Sequence, residues 1–381
     1  MKILVIAGAA ESLIGFRLPL LKEMVARKHQ VIALAPDITP MIAQKLASEK
    51  IVCELTPLSR TGNSFFSDFR YVQTLREKIQ KHSPDAVFAY THKPIVYGIP
   101  VALEEGVGIR VAFITGLGYA FIAKGWKRTF ISSILRILYR RALRAATSIK
   151  FQNPDDVADF KKMGLLSCGQ PYQIVGGSGV PLHDYPPTPV PPHTLRFLML
   201  SRLLGDKGVR EYVQAARIVR HYYPDAKFIL AGEIDSNPAS ITQKELSTWI
   251  EEGVVQFLGK LKDVRDELAK CSVYVLPSYR EGTPRSVLEA MATGRAIVTT
   301  DAPGCRETIR NARPLQGETF KLGDNGLLVN VADAKSLSSA LLYLCRSPFL
   351  ICEMASASRD YVAEKYDVNN VNKDLLDWEK K

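Results

Sequence analysis

The residues best suited to chemistry lie in one short stretch, where two glutamates stand eight positions apart. Glu281 lies in a polar segment rich in glycine and proline, and Glu289 lies in a segment where apolar residues recur at helical spacing. Because carboxylates accept hydrogen bonds from hydroxyl groups, this pair could hold the sugar hydroxyls of a ligand from two sides. Taken alone, the pair also fits a solvated loop residue and an ordinary charge on a helix surface.

A strand, a loop and a helix must position the two glutamates. The apolar run 273–276 predicts the strand, and the turn-forming residues 277–284 predict the loop. The first N–H groups of a helix have no partner within it, so those of Arg285, Ser286 and Val287 are suited to bind a phosphate. Two carboxylates would repel that phosphate unless hydroxyl-rich neutral groups lay between them, and a nucleotide sugar has such groups.

A second loop carries the positive charge that a diphosphate needs. It follows a predicted strand at 196–201 and contains Arg202, Lys207 and Gly208. Arginine can bind a diphosphate through two N–H groups of its planar guanidinium, and lysine can bind it through the point charge of its ammonium. The two side chains are therefore predicted to hold a diphosphate from the side opposite Glu281.

Together the two loops resemble the E-x7-E and R-x4-K-G elements of retaining glycosyltransferases of family 4, which have the GT-B fold. The resemblance implies an α/β chain with two Rossmann-like domains, each a doubly wound parallel sheet, facing a cleft. It also implies that Glu281 contacts the donor sugar and that Glu289 contacts the ribose of the nucleotide. The catalytic set that it implies is Glu281, Arg202 and Lys207, and the donor-binding set is Glu289, Leu261, Lys260, Gly282, Thr283, Pro284, Arg285, Ser286 and Val287.

The distribution of apolar runs independently predicts two parallel-sheet domains, because strands alternate with helix-length intervals. We place an acceptor-binding domain at 1–185 and a nucleotide-sugar-binding domain at 193–360, joined by a proline-rich linker of limited flexibility. The resemblance implies that residues 361–381 form a helix that crosses back to the first domain. The predicted strands are 3–7, 31–35, 51–55, 86–90, 111–115 and 148–152, followed by 196–201, 227–231, 254–258, 273–276, 296–300 and 326–329.

Loops that follow the strands of the first domain are the predicted acceptor site, since ligands of such sheets bind outside the carboxyl ends of the strands. The first loop ends with Gly15, Phe16 and Arg17, and it lacks the glycine fingerprint of dinucleotide-binding proteins. In GT-B enzymes the equivalent loop faces the acceptor. Arg17 would therefore suit an acceptor phosphate, and an ion pair on the protein surface is the alternative.

Two further loops of the first domain contribute candidate acceptor residues. His92 lies just beyond a predicted strand, where it could reach a diphosphate or a hydroxyl, and a purely structural histidine is equally compatible. Many members of family 4 have a histidine after the fifth strand, where this chain has Thr115 or Gly116. We therefore assign no catalytic base.

The positive charge of the chain is concentrated in the first domain. Of a net charge of +11, residues 1–185 carry +10, from 24 basic and 14 acidic side chains, and residues 106–154 have nine basic and no acidic side chains. Residues 121–146 combine helical apolar spacing with arginines, which predicts contact with an anionic membrane surface at about 1 kcal/mol per basic residue. A packed helix that is basic by chance is the alternative. Nucleic acid is not an expected partner, because aromatic residues on strands do not accompany the charge.

Composition argues against several other classes of protein. No run of 18 apolar residues occurs and the first strand is too short for a signal peptide, so we expect a peripheral protein on the cytoplasmic face of the inner membrane. The six cysteines form no C-x-x-C pair and the chain has no D-x-D sequence. Neither a metal ion nor a cofactor is therefore expected, with basic side chains taking the place of a divalent ion.

The predicted activity follows from the resemblance and agrees with the basic first domain. It is the transfer, with retention, of a hexose or N-acetylhexosamine from a UDP-sugar to a sugar on undecaprenyl diphosphate or a similar polyprenyl diphosphate. Such transfer occurs in the assembly of bacterial surface glycans and glycoprotein glycans. Three alternatives remain: a glycosyltransferase with a soluble acceptor, a sugar-nucleotide epimerase of the same fold, and a sugar-binding protein without catalysis, which would normally be exported.

Overall fold

The computed structural model describes residues 1–58, 65–116, 126–191, 195–235, 237 and 239–380, with the backbone alone for 65, 126–132 and 380. The chain forms two compact units: the first comprises residues 1–178 and 371–381, and the second comprises residues 179–370. The sequence prediction places the first boundary a few residues later, at 185, and begins the terminal segment earlier, at 361.

The first unit contains a parallel sheet with the strand order β3-β2-β1-β4-β5-β6-β7. Alternate residues of β1 are buried on opposite faces, Ile3 and Val5 on one and Leu4 and Ile6 on the other, so helices cover both faces. The strands are β1 Lys2–Ile6, β2 Gln30–Ala35, β3 Val52–Leu55, β4 Ala86–Tyr90, β5 Ile109–Ile114, β6 Ser148–Phe151 and β7 Gln173–Ile174. The helices are α1 Ala10–Gly15, α2 Leu18–Ala26, α3 Pro40–Ser48, α4 Phe65–His82, a π-helical turn Pro94–Gly98, α5 Ile99–Glu104, α6 Trp126–Ala145 and α7 Pro154–Lys162.

The second unit contains a sheet with the order β10-β9-β8-β11-β12-β15-β14-β13, parallel except for the antiparallel pairs at β13, β14 and β15. Its strands are β8 Arg196–Leu200, β9 Lys227–Ala231, β10 Gln256–Phe257, β11 Val273–Leu276, β12 Ala296–Thr300, β13 Arg313–Pro314, β14 Lys321–Leu322 and β15 Gly326–Val329. Its α-helices are α8 Val209–Tyr222, α9 Gln243–Glu251, α10 Arg265–Lys270, α11 Arg285–Ala292, α12 Ala334–Arg346 and α13 Pro348–Lys365, and α14 Val368–Leu375 leads back to the first unit. Short 3₁₀ turns occupy Gly205–Lys207, Arg306–Thr308 and Asp377–Lys380.

The predicted fold class, with two parallel-sheet α/β domains, is confirmed. Each predicted strand is present, although the one expected at 254–258 is reduced to Gln256–Phe257. Three strands were not predicted, namely β7, β13 and β14, because two residues are too few to show an alternation of apolar and polar side chains.

The proline-rich segment predicted as a linker packs against the second unit. Arg295 is fully buried and donates hydrogen bonds to the carbonyl oxygens of Thr188 at 2.9 Å and Pro189 at 3.3 Å. These bonds satisfy a buried guanidinium with backbone carbonyl oxygens of the proline-rich segment. Residues 186–191 are therefore part of the second unit, and they do not form a free spacer.

Among the described residues, we find no single helix with both the length and the apolar character needed to cross a bilayer. Helices α12 and α13 meet this description only when they are taken together, and they are bent by 104° relative to one another. The apolar side chains of α12, including Leu337, Leu341 and Leu344, are buried in the core of the second unit.

Candidate active site

The two predicted donor loops lie side by side because they follow neighbouring strands. Strand β11 pairs in parallel with β8, so the loop 277–284 and the loop 201–208 leave the sheet at the same edge. At this edge the Lys207 Nζ lies 2.5 Å from the Glu281 Oε1, and each side chain is only 17% exposed. The structure therefore brings together a lysine and a glutamate that are 74 residues apart in the chain.

Backbone contacts hold these two loops in register. Gly208 has a φ of +75°, and a Cβ atom at this position would lie 2.1 Å from the carbonyl oxygen of Pro277. The Tyr279 N–H donates to the Asp206 carbonyl oxygen at 2.8 Å, and the Tyr279 hydroxyl donates to the Glu211 Oε1 at 2.7 Å. Tyr279 was missed by sequence reasoning, although an aromatic residue in a polar loop is a signal that it packs against a neighbour.

The loop after β12 supports Glu281 from the other side. The Glu281 N–H donates to the Pro303 carbonyl oxygen at 2.9 Å. Gly304 has a φ of +77°, and a Cβ atom there would lie 2.2 Å from the Glu281 carbonyl oxygen and 2.4 Å from that of Gly282. The loop of Glu281 is thus held between the loop 201–208 and the loop after β12, and these contacts fix the position from which its side chain extends.

Helix α11 begins beside this pair without a capping side chain. Its first residue follows Pro284, and the Val287 N–H already donates to the Pro284 carbonyl oxygen at 3.1 Å. The prediction that Val287 presents its N–H to a phosphate is therefore wrong, because that group is used within the helix. The candidate phosphate-binding N–H groups of this helix are those of Arg285 and Ser286.

Glu289 lies one turn into α11 and is largely buried, with 13% of its side chain exposed. The Arg285 Nε donates to the Glu289 Oε1 at 2.8 Å. Burial, and then the nearby Glu289 carboxylate, raise the pKa of Tyr185. Tyr185, the last residue of the predicted first domain, lies in the second unit and contributes to the surroundings of a predicted ribose ligand.

Two more basic side chains of the predicted donor site are paired with acids. The Arg202 Nη1 lies 2.7 Å from the Asp235 Oδ2, and the Lys260 Nζ lies 3.0 Å from the Glu233 Oε2. The Asn237 N–H, and then Arg202, lower the pKa of Asp235, so this acid is charged. A diphosphate that binds these cations would replace or share a carboxylate partner in each case. Asp235 was not predicted as a site residue.

Leu261 is half-buried against the core of the second unit, one residue after Lys260. The adjacent Gly259 accepts a hydrogen bond from the Gly232 N–H at 2.9 Å. The loops after β9 and β10 are therefore joined beside the predicted donor-binding residues Lys260 and Leu261. Within the described part of the chain, no group of three or more histidine, cysteine, aspartate or glutamate side chains is placed to hold a metal ion.

The predicted acceptor loops of the first unit also follow neighbouring strands, since β1, β4 and β5 lie next to one another. Residues 10–15, predicted as a loop, form the short helix α1, which ends at Gly15. Arg17 is 1% exposed, with its guanidinium 5.3 Å from the ring centre of Phe16, 4.9 Å from that of Tyr90 and 4.5 Å from that of Phe113. The alternative of a surface ion pair for Arg17 is therefore wrong, because aromatic rings surround this cation inside the unit.

His92 is held by a neighbouring helix. Its Nδ1 shares a hydrogen bond with the hydroxyl of Tyr139 on α6, and burial lowers the pKa of His92 to about 4. The ring is therefore neutral at physiological pH. Thr115 and Gly116 directly follow β5, and Gly116 has a φ of +131°, a backbone conformation that favours glycine.

The second half of α6 presents a basic surface. The arginines at 136, 140, 141 and 144 are all exposed, and Ile137 is 64% exposed between them. Two of them contact other residues of the unit: Arg140 donates to the Gly164 carbonyl oxygen at 2.7 Å, and Arg141 pairs with Glu104 at 2.5 Å. Residues 121–125 and the side chains of 126–132, which belong to the predicted membrane segment, lie outside the described part.

Comparison with known proteins shows similarity to glycosyltransferases. Residues 194–347 match the family model described as glycosyl transferases group 1. Over 97% of its length the chain is 29% identical to the N,N'-diacetylbacillosaminyl-diphospho-undecaprenol alpha-1,3-N-acetylgalactosaminyltransferase of Campylobacter jejuni, of which it covers 96%. The chain is a glycosyltransferase, and its residues 194–347 carry the similarity to group 1.

Two other relatives of this glycosyltransferase are informative. It is 23% identical to the UDP-Gal:alpha-D-GlcNAc-diphosphoundecaprenol alpha-1,3-galactosyltransferase of Escherichia coli, over 72% of the chain and 73% of the relative. Among solved structures, HepE of Anabaena in complex with UDP has a TM-score of 0.76 and 18% identity, with complete coverage of both chains. The similarity to such structures confirms the GT-B fold of the glycosyltransferase.

A pH experiment tests the environment of His92 in this glycosyltransferase. Its pKa is lowered from 6.5 to about 4, so as the pH falls the unfolded chain takes up a proton before the folded chain does. The free energy of unfolding should therefore fall between pH 6.5 and 4, by about 3 kcal/mol. We expect His92→Gln to remove this part of the slope in denaturant titrations across that range. The matched variant His183→Gln, in which the replaced side chain is 80% exposed, should keep it; equal slopes in His92→Gln and the unmodified protein would contradict the prediction.

Proposed function

We propose that this glycosyltransferase moves a hexose or an N-acetylhexosamine from a UDP-sugar to a sugar linked to undecaprenyl diphosphate. The observation that carries the proposal is the pairing of Lys207 with Glu281 beside the start of α11, which combines a cation, a carboxylate and helix N–H groups at one edge. Such a set suits a diphosphate joined to a sugar. Both curated relatives described above are named for transfer to sugars on diphospho-undecaprenol.

In the proposed reaction the second unit binds the donor. Lys207, Arg202 and the N–H groups at the start of α11 hold the diphosphate and stabilise the negative charge that develops on the departing UDP. Glu281 accepts hydrogen bonds from hydroxyls of the donor sugar, and Glu289 does so from the ribose. Arg202 is 59% exposed, so it can turn from Asp235 towards a phosphate without disturbing the core.

We propose that the sugar is transferred with retention at its anomeric carbon. The bond from this carbon to the β-phosphate oxygen breaks, and the acceptor hydroxyl attacks the same face. The proton of that hydroxyl passes to the departing phosphate oxygen, which balances the charge of the step. Retention through a covalent intermediate would need a carboxylate nucleophile at the anomeric carbon. The Glu281 carboxylate is paired with Lys207 at 2.5 Å, which favours a binding role for it.

We further propose that transfer needs no divalent metal ion, because Lys207 and Arg202 supply the positive charge that such an ion would bring. The expected result is that a chelator leaves the rate of sugar transfer unchanged. The measurement is transfer from each member of a panel of UDP-sugars to undecaprenyl-diphosphate-linked sugars in vesicles, with and without the chelator. Loss of transfer on chelation, restored by added Mg²⁺, would contradict metal independence, and NMR of the product linkage decides retention.

Because the proposed acceptor is linked to a lipid, we also propose that the protein lies peripherally on the cytoplasmic face of the inner membrane. Support comes from the exposed arginines of α6 and from the charge of +10 over residues 1–185. Basic side chains near an anionic bilayer each contribute about 1 kcal/mol of attraction. Transfer to water-soluble sugars alone would favour a glycosyltransferase with a soluble acceptor.

A further inference from the structure

The first turn of α4 exposes two phenylalanine side chains to solvent. Phe66 is 90% exposed and Phe69 is 64% exposed. Residues three and four apart lie on the same side of a helix, so these two rings share a face with the exposed Arg70. On the opposite side of α4, Tyr71 and Leu75 are fully buried in the core. The inner face thus anchors the helix, and the outer aromatic face is not needed for that packing.

The acidic residue of this turn is engaged elsewhere. The Asp68 carboxylate accepts a hydrogen bond from the Lys93 Nζ at 2.7 Å and another from the Tyr97 hydroxyl at 2.8 Å. Its charge is therefore balanced by a cation of the same unit. The described outer face of the first turn consists of Phe66, Phe69 and Arg70, which we call the α4 tip.

The apolar exposure is confined to the tip. Further along α4 the exposed positions are the polar residues Glu77, Gln80 and Lys81. A helix that docks lengthwise into a groove would carry apolar residues along its whole outer face. The pattern instead suits penetration of one end of the helix into an apolar medium.

The α4 tip lies at the predicted acceptor edge of the first unit. Helix α4 connects the parallel strands β3 and β4, so it begins at the edge where the strands end. The ion pair between Asp68 and Lys93 joins its first turn to the loop that contains His92. The tip therefore belongs to the same edge as the candidate acceptor residues.

We propose that the α4 tip inserts into the surface of an anionic lipid bilayer beside the acceptor site. This inference rests on the proposed lipid-linked acceptor. Two phenylalanines offer at most about 500 Å² of contact area, whereas one side of a stable protein interface needs about 800 Å². A bilayer needs no complementary surface: the rings enter the apolar layer and Arg70 stays with the lipid phosphates. The net charge of +10 over residues 1–185 has the sign that anionic lipid attracts.

Vesicle binding tests the inference with a matched control. We expect Phe66→Ser/Phe69→Ser to lower the partition coefficient of the protein onto phosphatidylglycerol vesicles at least about tenfold, the loss expected from exposing one aromatic ring. Phe349→Ser replaces a ring that is 75% exposed on the second unit, and it should partition like the unmodified protein. Thermal unfolding of each variant verifies that it is folded. Equal partitioning of the double variant and the unmodified protein would overturn the inference.

A fluorescence measurement provides a second readout that does not depend on loss of binding. In Phe66→Trp the tip carries an additional tryptophan. Brominated lipids should quench the fluorescence of this variant by a larger fraction than they quench that of the unmodified protein on the same vesicles. Absence of additional quenching, with the protein bound, would place the tip outside the bilayer and overturn the inference.

Transfer assays separate this inference from the proposed function. With a diphosphate-linked sugar on a short, detergent-dispersed isoprenoid, the double variant should transfer at the rate of the unmodified protein, and with the vesicle-embedded acceptor at least about tenfold more slowly. Equal rates on the vesicle-embedded acceptor would overturn the inference. If the unmodified protein transfers sugar to neither acceptor, the proposed function fails, and the vesicle-binding result alone then decides whether the tip inserts.

Discussion

Replacement of Glu281 by glutamine should lower kcat for sugar transfer about 10²- to 10³-fold, the range found when one charged or hydrogen-bonding group is removed from a transition-state site. The amide has nearly the size of the carboxylate but lacks its charge. It therefore holds the hydroxyls of the donor sugar less strongly and no longer balances Lys207, which lies 2.5 Å away. The measurement is the initial rate of transfer at saturating UDP-sugar.

Binding of UDP provides the internal check on this variant. Because the Lys207 ammonium loses a competing carboxylate, UDP should bind Glu281→Gln as tightly as it binds the unmodified protein, or more tightly. Titration calorimetry measures this directly. A suitable control is Glu252→Gln, which neutralises one partner of an ion pair with Arg217 at 2.7 Å, with both side chains more than 40% exposed. Glu252→Gln should retain full activity. An unchanged kcat in Glu281→Gln would show that Glu281 is not part of the site.

Gly208→Ala should both destabilise the protein and abolish most of its activity. The new Cβ would lie 2.1 Å from the Pro277 carbonyl oxygen, at a φ of +75°. Backbone strain and overpacking together should lower the free energy of unfolding by about 2–4 kcal/mol. Relief of the clash must move the loop 277–284 away from the loop 201–208, which separates Lys207 from Glu281. We therefore expect kcat/KM to fall at least about 100-fold even where the protein remains folded.

Gly253→Ala distinguishes these two effects. Gly253 has a φ of +62°, similar to that of Gly208, but no atom lies within 4 Å of its hypothetical Cβ. This variant should lose only about 1 kcal/mol of stability, from the backbone conformation, and should keep its activity. The comparison requires denaturant titrations and transfer assays of both variants below their unfolding temperatures. If the two alanine variants were equally active, the contact between Gly208 and Pro277 would not position Lys207 and Glu281.

Much of the fold could be predicted because parallel strands buried on both faces appear as continuous apolar runs. The runs that end at Ala35, Tyr90, Leu276 and Val329 end in the structure at these same residues. Short elements were missed for a physical reason: β7 and β14 contain two residues each, and α1 has six, so each is specified by its neighbours. Propensity summed over so few residues is too weak to decide a structure.

The sequence by itself determined that the second unit has a carboxylate-bearing loop, a cationic loop and a helix start, since residue types and spacing along one segment reveal each of these. Tertiary structure alone decided that Lys207 meets Glu281 and that Tyr279 ties the two loops together. It also placed Arg17 among aromatic rings and left Phe66 in solvent. The reason is that adjacency of strands and burial of side chains depend on packing between segments far apart in the chain, which no local pattern records.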